Sequence, residues 1–219
     1  MTDKAVLWDV NGVIIDDMRI HFVSYREVLK YLDCEVTDEY LLATTVGTPP
    51  AEFFAAILPI IETSISMDEI LDRKRESYLR LIKGQTQSPP GVVELMQDLK
   101  ANGFKQAVAS GTTRIEVDTI IAGCGVAHFF DEIVSCEDVS KGKPDPEPFL
   151  KAASLIGVEP RRCVVVEDGE FGVRAAKAAG MKVIAVLNTQ TREHLAAADI
   201  IVESLAEIDA ARVIELMQL

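Results

Sequence analysis

Positive charge is scarce in this sequence. Its 219 residues include 22 lysines and arginines against 35 aspartates and glutamates, which gives a formal net charge of -13. Nucleic-acid backbones are bound by clustered Lys and Arg side chains, so we expect no nucleic-acid partner. A small anionic ligand is not excluded, because a local positive pocket can lie on an acidic protein.

Closely spaced cysteines and long apolar runs are also absent. The cysteines Cys34, Cys124, Cys136 and Cys163 are scattered, and no pair has the spacing of a zinc or redox motif. No apolar run approaches the roughly 20 residues of a membrane helix. The chain enters its first strand-like run without the basic and apolar order of a signal peptide. We therefore predict a cytoplasmic protein in a reducing compartment, with no membrane partner, as a monomer or weak dimer.

The sequence does contain a regular alternation of strand-like and helix-like segments. Such alternation predicts an α/β fold, a doubly wound parallel sheet with helices on both faces. With 48% hydrophobic residues, the chain can form one large domain or a core with a smaller inserted unit. The strand-like runs lie at 5–8, 105–109, 133–135, 163–166, 183–187 and 200–202.

The interval from residue 17 to residue 88 interrupts this alternation. It holds helical patterns, such as 20–32 and 68–82, but no convincing strand. An insertion of roughly 70 residues is too long for a simple crossover between two strands. We therefore interpret 17–88 as a helical subdomain inserted into a core that 1–16 and 89–219 form.

A carboxylate ends the first apolar run. Residues 5–8 are followed by Asp9, and the chain then turns at Asn11-Gly12. A buried strand that ends on an acid delivers it to the crevice where open α/β sheets bind ligands, so Asp9 is a candidate nucleophile or metal ligand. Asn11 is an amide at a position where a second acid would help such chemistry.

Two later segments place polar side chains near the ends of other predicted strands. Ser110 and Gly111 follow the second strand and could bind an anion through a hydroxyl and unpaired N–H groups, unless Ser110 only caps the next helix. Lys143 lies in a proline-rich extended segment and could neutralise a phosphoryl group, unless it is a solvated lysine in a turn. Each segment is therefore a candidate part of a phosphate site, and the alternatives stay open for both.

Two adjacent acids end the apolar run at 163–166. Glu167 and Asp168 would lie beside Asp9 if the first and fourth strands are neighbours. Clustered carboxylates at strand ends suit Mg²⁺, which prefers oxygen ligands. The alternative is that one of the acids only caps the helix predicted at 171–179.

Together these segments resemble the haloacid dehalogenase superfamily, and within it the branch of β-phosphoglucomutase and small sugar-phosphate phosphatases. The resemblance spans essentially the whole chain and implies a Rossmann-like core with an inserted helical cap. The matching segments are Asp9-Val10-Asn11-Gly12-Val13, Ser110, Lys143-Pro144, Glu167-Asp168 and the helix at 172–180.

The resemblance also implies how a phosphoryl group is handled. Asp9 would attack the group and carry it as an aspartyl phosphate, and the catalytic set would be Asp9, Asn11, Ser110 and Lys143. Ser110, Gly111 and Lys143 would bind the phosphoryl oxygens. The helical insertion would close over the site and exclude water.

The implied cofactor is Mg²⁺, held by Asp9, the backbone carbonyl of Asn11 and Asp168, with Glu167 nearby. At position 11 the family has a second Asp, which protonates the leaving oxygen and later activates water. An amide cannot shuttle this proton, so turnover should fall by roughly 10²–10⁴-fold while binding persists. Two explanations stay open: a substitution made to trap a complex, or a natural variant with another acid or slow chemistry.

Two residues of the insertion resemble cap residues of β-phosphoglucomutase that lie near its substrate. They are His21 and Lys74, and the alternatives are a helix-surface histidine and a solvated lysine. Pro50 stands about where the mutase has a substrate-binding arginine, just after Gly47. Because a mutase must hold a bisphosphate at both ends, the loss of that arginine favours a phosphatase.

The sequence therefore predicts a Mg²⁺-dependent phosphatase of small phosphorylated metabolites, first of all sugar phosphates, with catalysis impaired at Asn11. A sugar-phosphate mutase is the alternative enzyme. An inactive protein that binds a phosphorylated ligand is the alternative from another class. A phosphorylation-controlled signalling receiver has a similar set of residues, but the helical insertion and the chain length argue against it.

Overall fold

The chain separates into two compact units. The first unit comprises Met1–Asp16 with Thr86–Leu219, and the second comprises Asp17–Gln85. Each unit has its own hydrophobic core. The structure is a computed structural model and describes residues 4–46, 48–61 and 63–218.

In the described part of the chain, the first unit contains one sheet of six strands in the order β3-β2-β1-β4-β5-β6. All neighbouring strands are parallel, which confirms the predicted doubly wound parallel sheet. Each strand lies within one residue of its predicted position. The strands are β1 (Ala5–Trp8), β2 (Lys105–Ala109), β3 (Glu132–Val134), β4 (Cys163–Glu167), β5 (Lys182–Val186) and β6 (Ile200–Val202).

The two central strands are buried along their whole length. Every residue of β1 and of β4 is buried, which is typical of parallel strands covered by helices on both faces. The indole nitrogen of Trp8 finds a partner inside the core, because it donates to Oε1 of Gln106 at 3.1 Å. The amide nitrogen of Gln106 in turn donates to the carbonyl of Met96 at 2.9 Å.

Residues 17–85 form helices and no strand, as far as they are described. Their core contains Tyr25, Leu29, Leu41, Phe54 and Ile70, all at most 3% exposed. The helical patterns in the sequence correspond to the first and the last of four α-helices. These helices are α1 (Met18–Tyr31), α2 (Asp38–Thr45), α3 (Pro50–Ile57) and α4 (Met67–Ile82).

Five further helices in the described residues of the first unit complete the fold. Apolar residues of two of these helices, such as Phe149, Ala152 and Val173, pack against Leu7 and Val165 of the central strands. No helix in the described ranges is both long and apolar enough to cross a membrane. The five helices are α5 (Val92–Ala101), α6 (Arg114–Gly123), α7 (Glu147–Leu155), α8 (Glu170–Ala178) and α9 (Ala210–Gln218).

The order of the strands reverses at β1. The chain runs outward from β1 through β2 and β3 on one side, and through β4, β5 and β6 on the other. Open α/β sheets bind ligands at the carboxyl ends of the strands at such a switch point. Trp8 pairs with Val166 across β1 and β4, so Asp9 and Glu167 come next at the same edge.

Candidate active site

Asp9 begins the loop that follows β1. Its backbone N–H donates to the carbonyl of Val166 at 3.0 Å, so the pairing between β1 and β4 extends to the acid. The residue is buried, with 8% of its surface exposed. Asn11 is half-buried, and the loop turns at Gly12, whose φ of +82° is a left-handed conformation that favours glycine. The N–H of Gly12 closes the turn by donating to the carbonyl of Ile15 at 2.7 Å.

Lys143 contacts two of the acids. Its Nζ lies 2.5 Å from Oδ1 of Asp9 and 2.6 Å from Oε1 of Glu167, and its side chain is 11% exposed. The same nitrogen lies 4.8 Å from the centre of the Phe149 ring. Lys143 is therefore not a solvated lysine, and it places a positive charge directly on the candidate nucleophile.

The segment before Lys143 is held by Glu147, the first residue of α7. The carboxylate of Glu147 accepts the backbone N–H of Ser140 at 2.8 Å and that of Lys141 at 2.9 Å. These two bonds fold the segment back onto the start of the helix. Glu147 was not among the residues predicted for the site, although its position in the first turn of a helix is one where an acid is typically stabilising.

Glu167 uses both of its carboxylate oxygens inside the protein. Oε1 accepts from Lys143, while Oε2 accepts the backbone N–H of Asp168 at 2.9 Å and that of Gly169 at 2.8 Å. The carboxylate also fills the space beside Gly172, where an added Cβ would overlap it. Glu167 therefore orients Lys143 and the loop that carries Asp168.

Asp168 is buried, at 5% exposure, and has a hydroxyl partner from another loop. The hydroxyl of Thr189 donates to its Oδ2. The same carboxylate lies against Gly12, where an added Cβ would overlap Oδ2. Neither acid caps α8, because the N-cap residue is Gly169 and no side chain caps it. The alternative of a simple helix cap is therefore wrong for Glu167 and Asp168.

Burial dominates the electrostatics of these groups. It raises the pKa of Asp9 to about 7, although the charge of Lys143 lowers that pKa and the charge of Glu167 raises it further. Burial also raises the pKa of Asp168 well above its ordinary value. Burial disfavours the charge of Lys143, but the carboxylates of Asp9 and Glu167 outweigh it and raise the pKa of the lysine. Lys143 therefore stays protonated, and its one positive charge is not enough to neutralise the carboxylates around it.

Ser110 follows β2, the other neighbour of β1, and is 2% exposed. It does not cap the next helix, because α6 begins at Arg114 and its N-cap is Thr113, paired with Glu116 in a capping box. Instead, Oγ of Ser110 accepts the backbone N–H of Thr112 at 3.2 Å. Gly111 is exposed, and an added Cβ there would meet no atom within 4 Å. The segment is therefore open to a ligand beside Gly111.

The other two predicted residues meet inside the helical unit. Nζ of Lys74 lies 3.0 Å from Nδ1 of His21, and Nε2 of His21 lies 3.3 Å from Oδ2 of Asp17. The hydroxyl of Tyr78 also donates to Asp17, and the Tyr78 ring stacks on His21. Lys74 is only 4% exposed, so it is not a solvated lysine. Since an ammonium group only donates, Nδ1 of His21 accepts and Nε2 carries the proton.

Pro50, which stands about where the mutase has a substrate-binding arginine, begins a helix. Pro50 is the first residue of α3, where its missing N–H costs no hydrogen bond. Gly47, which served as the reference point for this comparison, lies outside the described residues. A proline at this position offers no anion-binding side chain.

Comparison of the sequence with known protein families gives a clear match. The sequence profile of the haloacid dehalogenase-like hydrolases matches residues 6–186. The chain belongs to this family. The match includes β1 to β5 and therefore every strand end that carries a candidate site residue.

Individual hydrolases and mutases are similar to most of this haloacid dehalogenase-like chain. A phosphorylated carbohydrates phosphatase of Thermotoga maritima is 30% identical over 179 residues, 82% of this chain and 82% of its own length. The β-phosphoglucomutase of Bacillus subtilis is 30% identical over 212 residues, 94% of this chain and 91% of its own length. In contrast, this chain spans only 18% of SUPPRESSOR OF QUENCHING 1 of Arabidopsis thaliana, at 36% identity over 191 residues.

Among solved structures, a mutant of CbbY from Rhodobacter sphaeroides in complex with xylulose-1,5-bisphosphate superposes with a TM-score of 0.88. It is 27% identical, and the alignment covers 97% of this chain and 99% of that one. The haloacid dehalogenase-like fold is therefore shared over nearly all of this chain.

The implied magnesium ion fits the acids of this haloacid dehalogenase-like site. Among the described residues, Asp9, Glu167 and Asp168 offer one oxygen each within 4.8 Å of one another. Lys143 contacts two of these three buried carboxylates, Asp9 and Glu167, and an all-oxygen donor set suits Mg²⁺. Because both oxygens of Glu167 already accept hydrogen bonds, Asp9 and Asp168 fit best as direct ligands.

Proposed function

We propose that this protein is a Mg²⁺-dependent phosphatase that hydrolyses small phosphorylated metabolites through an aspartyl phosphate on Asp9. The observation that carries the proposal is the contact of the buried Lys143 ammonium with the Asp9 carboxylate at the carboxyl edge of the sheet. Sugar phosphates are the first substrate class to test, because the Thermotoga maritima relative is named for phosphorylated carbohydrates.

Asp9 supplies the nucleophile in this proposal. One of its carboxylate oxygens forms a bond to phosphorus while the bond between phosphorus and the substrate's ester oxygen breaks. The leaving oxygen takes its proton from solvent water. A second water then forms a bond to phosphorus while the bond between phosphorus and the Asp9 oxygen breaks, which releases inorganic phosphate and restores the Asp9 carboxylate. Lys143 neutralises charge on the transferring group, and Ser110 donates a hydrogen bond to its oxygens. Phosphoryl transfer depends mainly on such positioning and charge neutralisation.

The cation-binding groups in this proposal are the carboxylates of Asp9 and Asp168 and the backbone carbonyl of Asn11. A magnesium ion held there would supply positive charge for the transferring phosphoryl group. The residues around it do the remaining work: Glu167 holds Lys143 in place, and Gly12 leaves room for the Asp168 carboxylate. The amide of Asn11 cannot donate a proton to the leaving oxygen, so turnover in this chain is slow.

A phosphatase is preferred over a mutase because of Pro50. A mutase must bind a bisphosphate at two places, and the first residue of α3 is a proline without an anion-binding side chain. The names of the relatives include both activities, so the products must decide. Release of inorganic phosphate supports a phosphatase, whereas an isomerised sugar phosphate without phosphate release supports a mutase.

A phosphate-release screen tests the proposal. The full chain and Asn11→Asp are assayed in parallel over many phosphorylated metabolites, with and without Mg²⁺. We expect Mg²⁺-dependent release, faster in Asn11→Asp. If neither protein releases phosphate but phosphorylated ligands still raise the unfolding temperature of both, the inactive binding protein is the better description.

The nucleophile is tested separately. After incubation with a phosphodonor and rapid acid quenching, mass spectrometry of the digested chain should find the phosphoryl group on Asp9. Asp9→Ala should lose both the label and the activity. Asp16→Ala removes an exposed acid from the same loop and is the matched control. A label on another residue, together with an active Asp9→Ala, would overturn the assignment.

A further inference from the structure

The loop that follows β5 reaches two parts of the candidate site with successive side chains. Nδ2 of Asn188 donates to the backbone carbonyl of Gly12 at 2.9 Å. The hydroxyl of Thr189 donates to Oδ2 of Asp168 and lies 3.2 Å from its backbone carbonyl. The loop therefore connects the turn after β1 with the acid after β4.

The next two residues of this loop, Gln190 and Thr191, have hydrogen-bond partners other than the acids of the site. Oε1 of Gln190 accepts the backbone N–H of Glu170, at the start of α8, at 2.7 Å. The hydroxyl of Thr191 instead lies 2.9 Å from Nδ1 of His194, in an exposed pair that does not include the acids. Thr189 and Thr191 thus belong to one loop, but only Thr189 has its hydroxyl on the candidate site.

The Asp168 carboxylate is oriented from two sides. Thr189 holds Oδ2 by a hydrogen bond, and the absence of a Cβ at Gly12 provides the space that Oδ2 occupies. Within the described ranges, no hydrogen bond reaches the other oxygen, Oδ1. One oxygen of a buried acid is thus fixed by the protein while the second remains available.

We propose that Thr189 is a positioning residue for Asp168, whose hydroxyl holds one carboxylate oxygen so that the other can bind a divalent cation. The inference rests on the proposed function, because it takes the site to bind Mg²⁺. It adds a residue outside the five segments that carry the family resemblance. Asn188 supports the same arrangement by holding the Gly12 carbonyl next to the backbone that would bind the cation.

The physical reason lies in the cost of ordering a buried charge. A carboxylate that has left water needs donors, and a hydrogen bond to a charged group contributes more than one between neutral groups. Groups that orient metal-binding side chains typically contribute about 10- to 100-fold to metal affinity. Replacing the Thr189 hydroxyl by a methyl group would remove a donor and leave the carboxylate of Asp168 to rotate.

Calorimetric titration of the full chain with Mg²⁺ tests this inference without relying on activity. The proteins are the unsubstituted chain, Thr189→Val, Thr189→Ser and the matched control Thr191→Val. We expect Thr189→Val to weaken Mg²⁺ binding by about 10- to 100-fold. Thr189→Ser should restore affinity to within a few-fold, because it returns the hydroxyl, and Thr191→Val should bind like the unsubstituted chain.

Three outcomes would overturn the inference. Unchanged affinity in Thr189→Val would do so and leave the proposed function intact, provided that phosphate release still needs Mg²⁺. Equal losses in Thr189→Val and Thr191→Val would show a general effect of the loop. Failure of the unsubstituted chain to bind Mg²⁺ would overturn the inference together with the metal dependence of the proposed function. Circular dichroism checks that each variant is folded, and Thr189→Ala replaces Thr189→Val if it is not.

Discussion

The Lys143 ammonium nitrogen lies 2.5 Å from Oδ1 of Asp9, and each side chain is 11% exposed. This contact joins a turn before α7 to the end of β1, which are more than a hundred residues apart in the chain. It gives the nucleophile of the proposed reaction a fixed positive neighbour. It also leaves the remaining carboxylates of the cluster dependent on one lysine for charge balance.

Removing that lysine should destabilise the protein. Lys143→Met leaves buried carboxylates without their cation, and loss of one partner of a buried ion pair typically costs about 3–5 kcal/mol. The free energy of unfolding, measured by urea titration with a chelator at mildly alkaline pH, should fall by that order. Added Mg²⁺ should stabilise the variant more than the unsubstituted chain, because it supplies the missing positive charge.

The control for this experiment lies in the same segment. Lys141→Met removes a lysine whose side chain is 73% exposed, and its ion pair with Asp145 is 3.8 Å long. Exposed pairs contribute little, so this variant should unfold like the unsubstituted chain. Equal losses in the two variants would contradict a special role for Lys143.

The sheet could be predicted from the sequence because its strands carry a strong local signal. Every residue of β1 and of β4 is buried on a sheet with helices on both faces, so each reads as a continuous apolar run. The acids follow these runs directly. Neighbouring strand ends then meet by topology, which brings Asp9 beside Glu167. Lys143 lies in a loop, and only the family resemblance implied that it would lie near the nucleophile.

The contacts between loops could not be predicted in the same way. Asn188 and Thr189 lie after β5 in a segment without apolar periodicity, and their partners depend on how the backbone turns. The pairing of Lys74 with His21, 53 residues apart in the chain, depends on the packing of α1 against α4. The only signal available was that polar residues after β5 had to lie at the same edge of the sheet as the acids.

Gly172→Ala should disturb the site through Glu167. An added Cβ would overlap the Glu167 carboxylate, which cannot move away easily because it holds Lys143 and two backbone N–H groups. Overpacking of this kind costs about 1–3 kcal/mol, which exceeds the gain of at most about 1 kcal/mol from alanine in a helix. We expect a lower urea midpoint and reduced phosphate release.

Gly169→Ala provides the comparison for that substitution. There an added Cβ would lie 3.5 Å from Oε2 of Glu167, an ordinary contact, and the glycine has no left-handed conformation to preserve. Phosphate release and the urea midpoint should therefore stay close to those of the unsubstituted chain. A Gly172→Ala variant as active and stable as Gly169→Ala would contradict the proposal that Glu167 orients Lys143 and the loop that carries Asp168.

Lys74→Met tests whether the polar cluster of the helical unit is structural or binds substrate. Methionine keeps the length of the buried chain but removes the donor to Nδ1 of His21. Loss of a hydrogen bond typically costs about 0.5–1.5 kcal/mol, so a structural role predicts lower stability at an unchanged KM. A role in binding a phosphorylated substrate predicts a raised KM instead. Lys83→Met, at an exposed position just after α4, is the control.

Asn11→Asp should raise kcat by roughly 10²-fold or more and leave KM within a few-fold. The exchange restores a proton donor that is used only in the transition state. It leaves the backbone carbonyl at position 11 and the phosphate contacts of Ser110 and Lys143 in place. Steady-state kinetics at saturating Mg²⁺ compare the two proteins. Peptide mass mapping must confirm that Asn11 is still an amide in the unsubstituted chain. Asn11 precedes Gly12, and its deamidation would produce the same acid as the substitution. Equal kcat in both proteins would mean that another group donates the proton and that Asn11 belongs to the native mechanism.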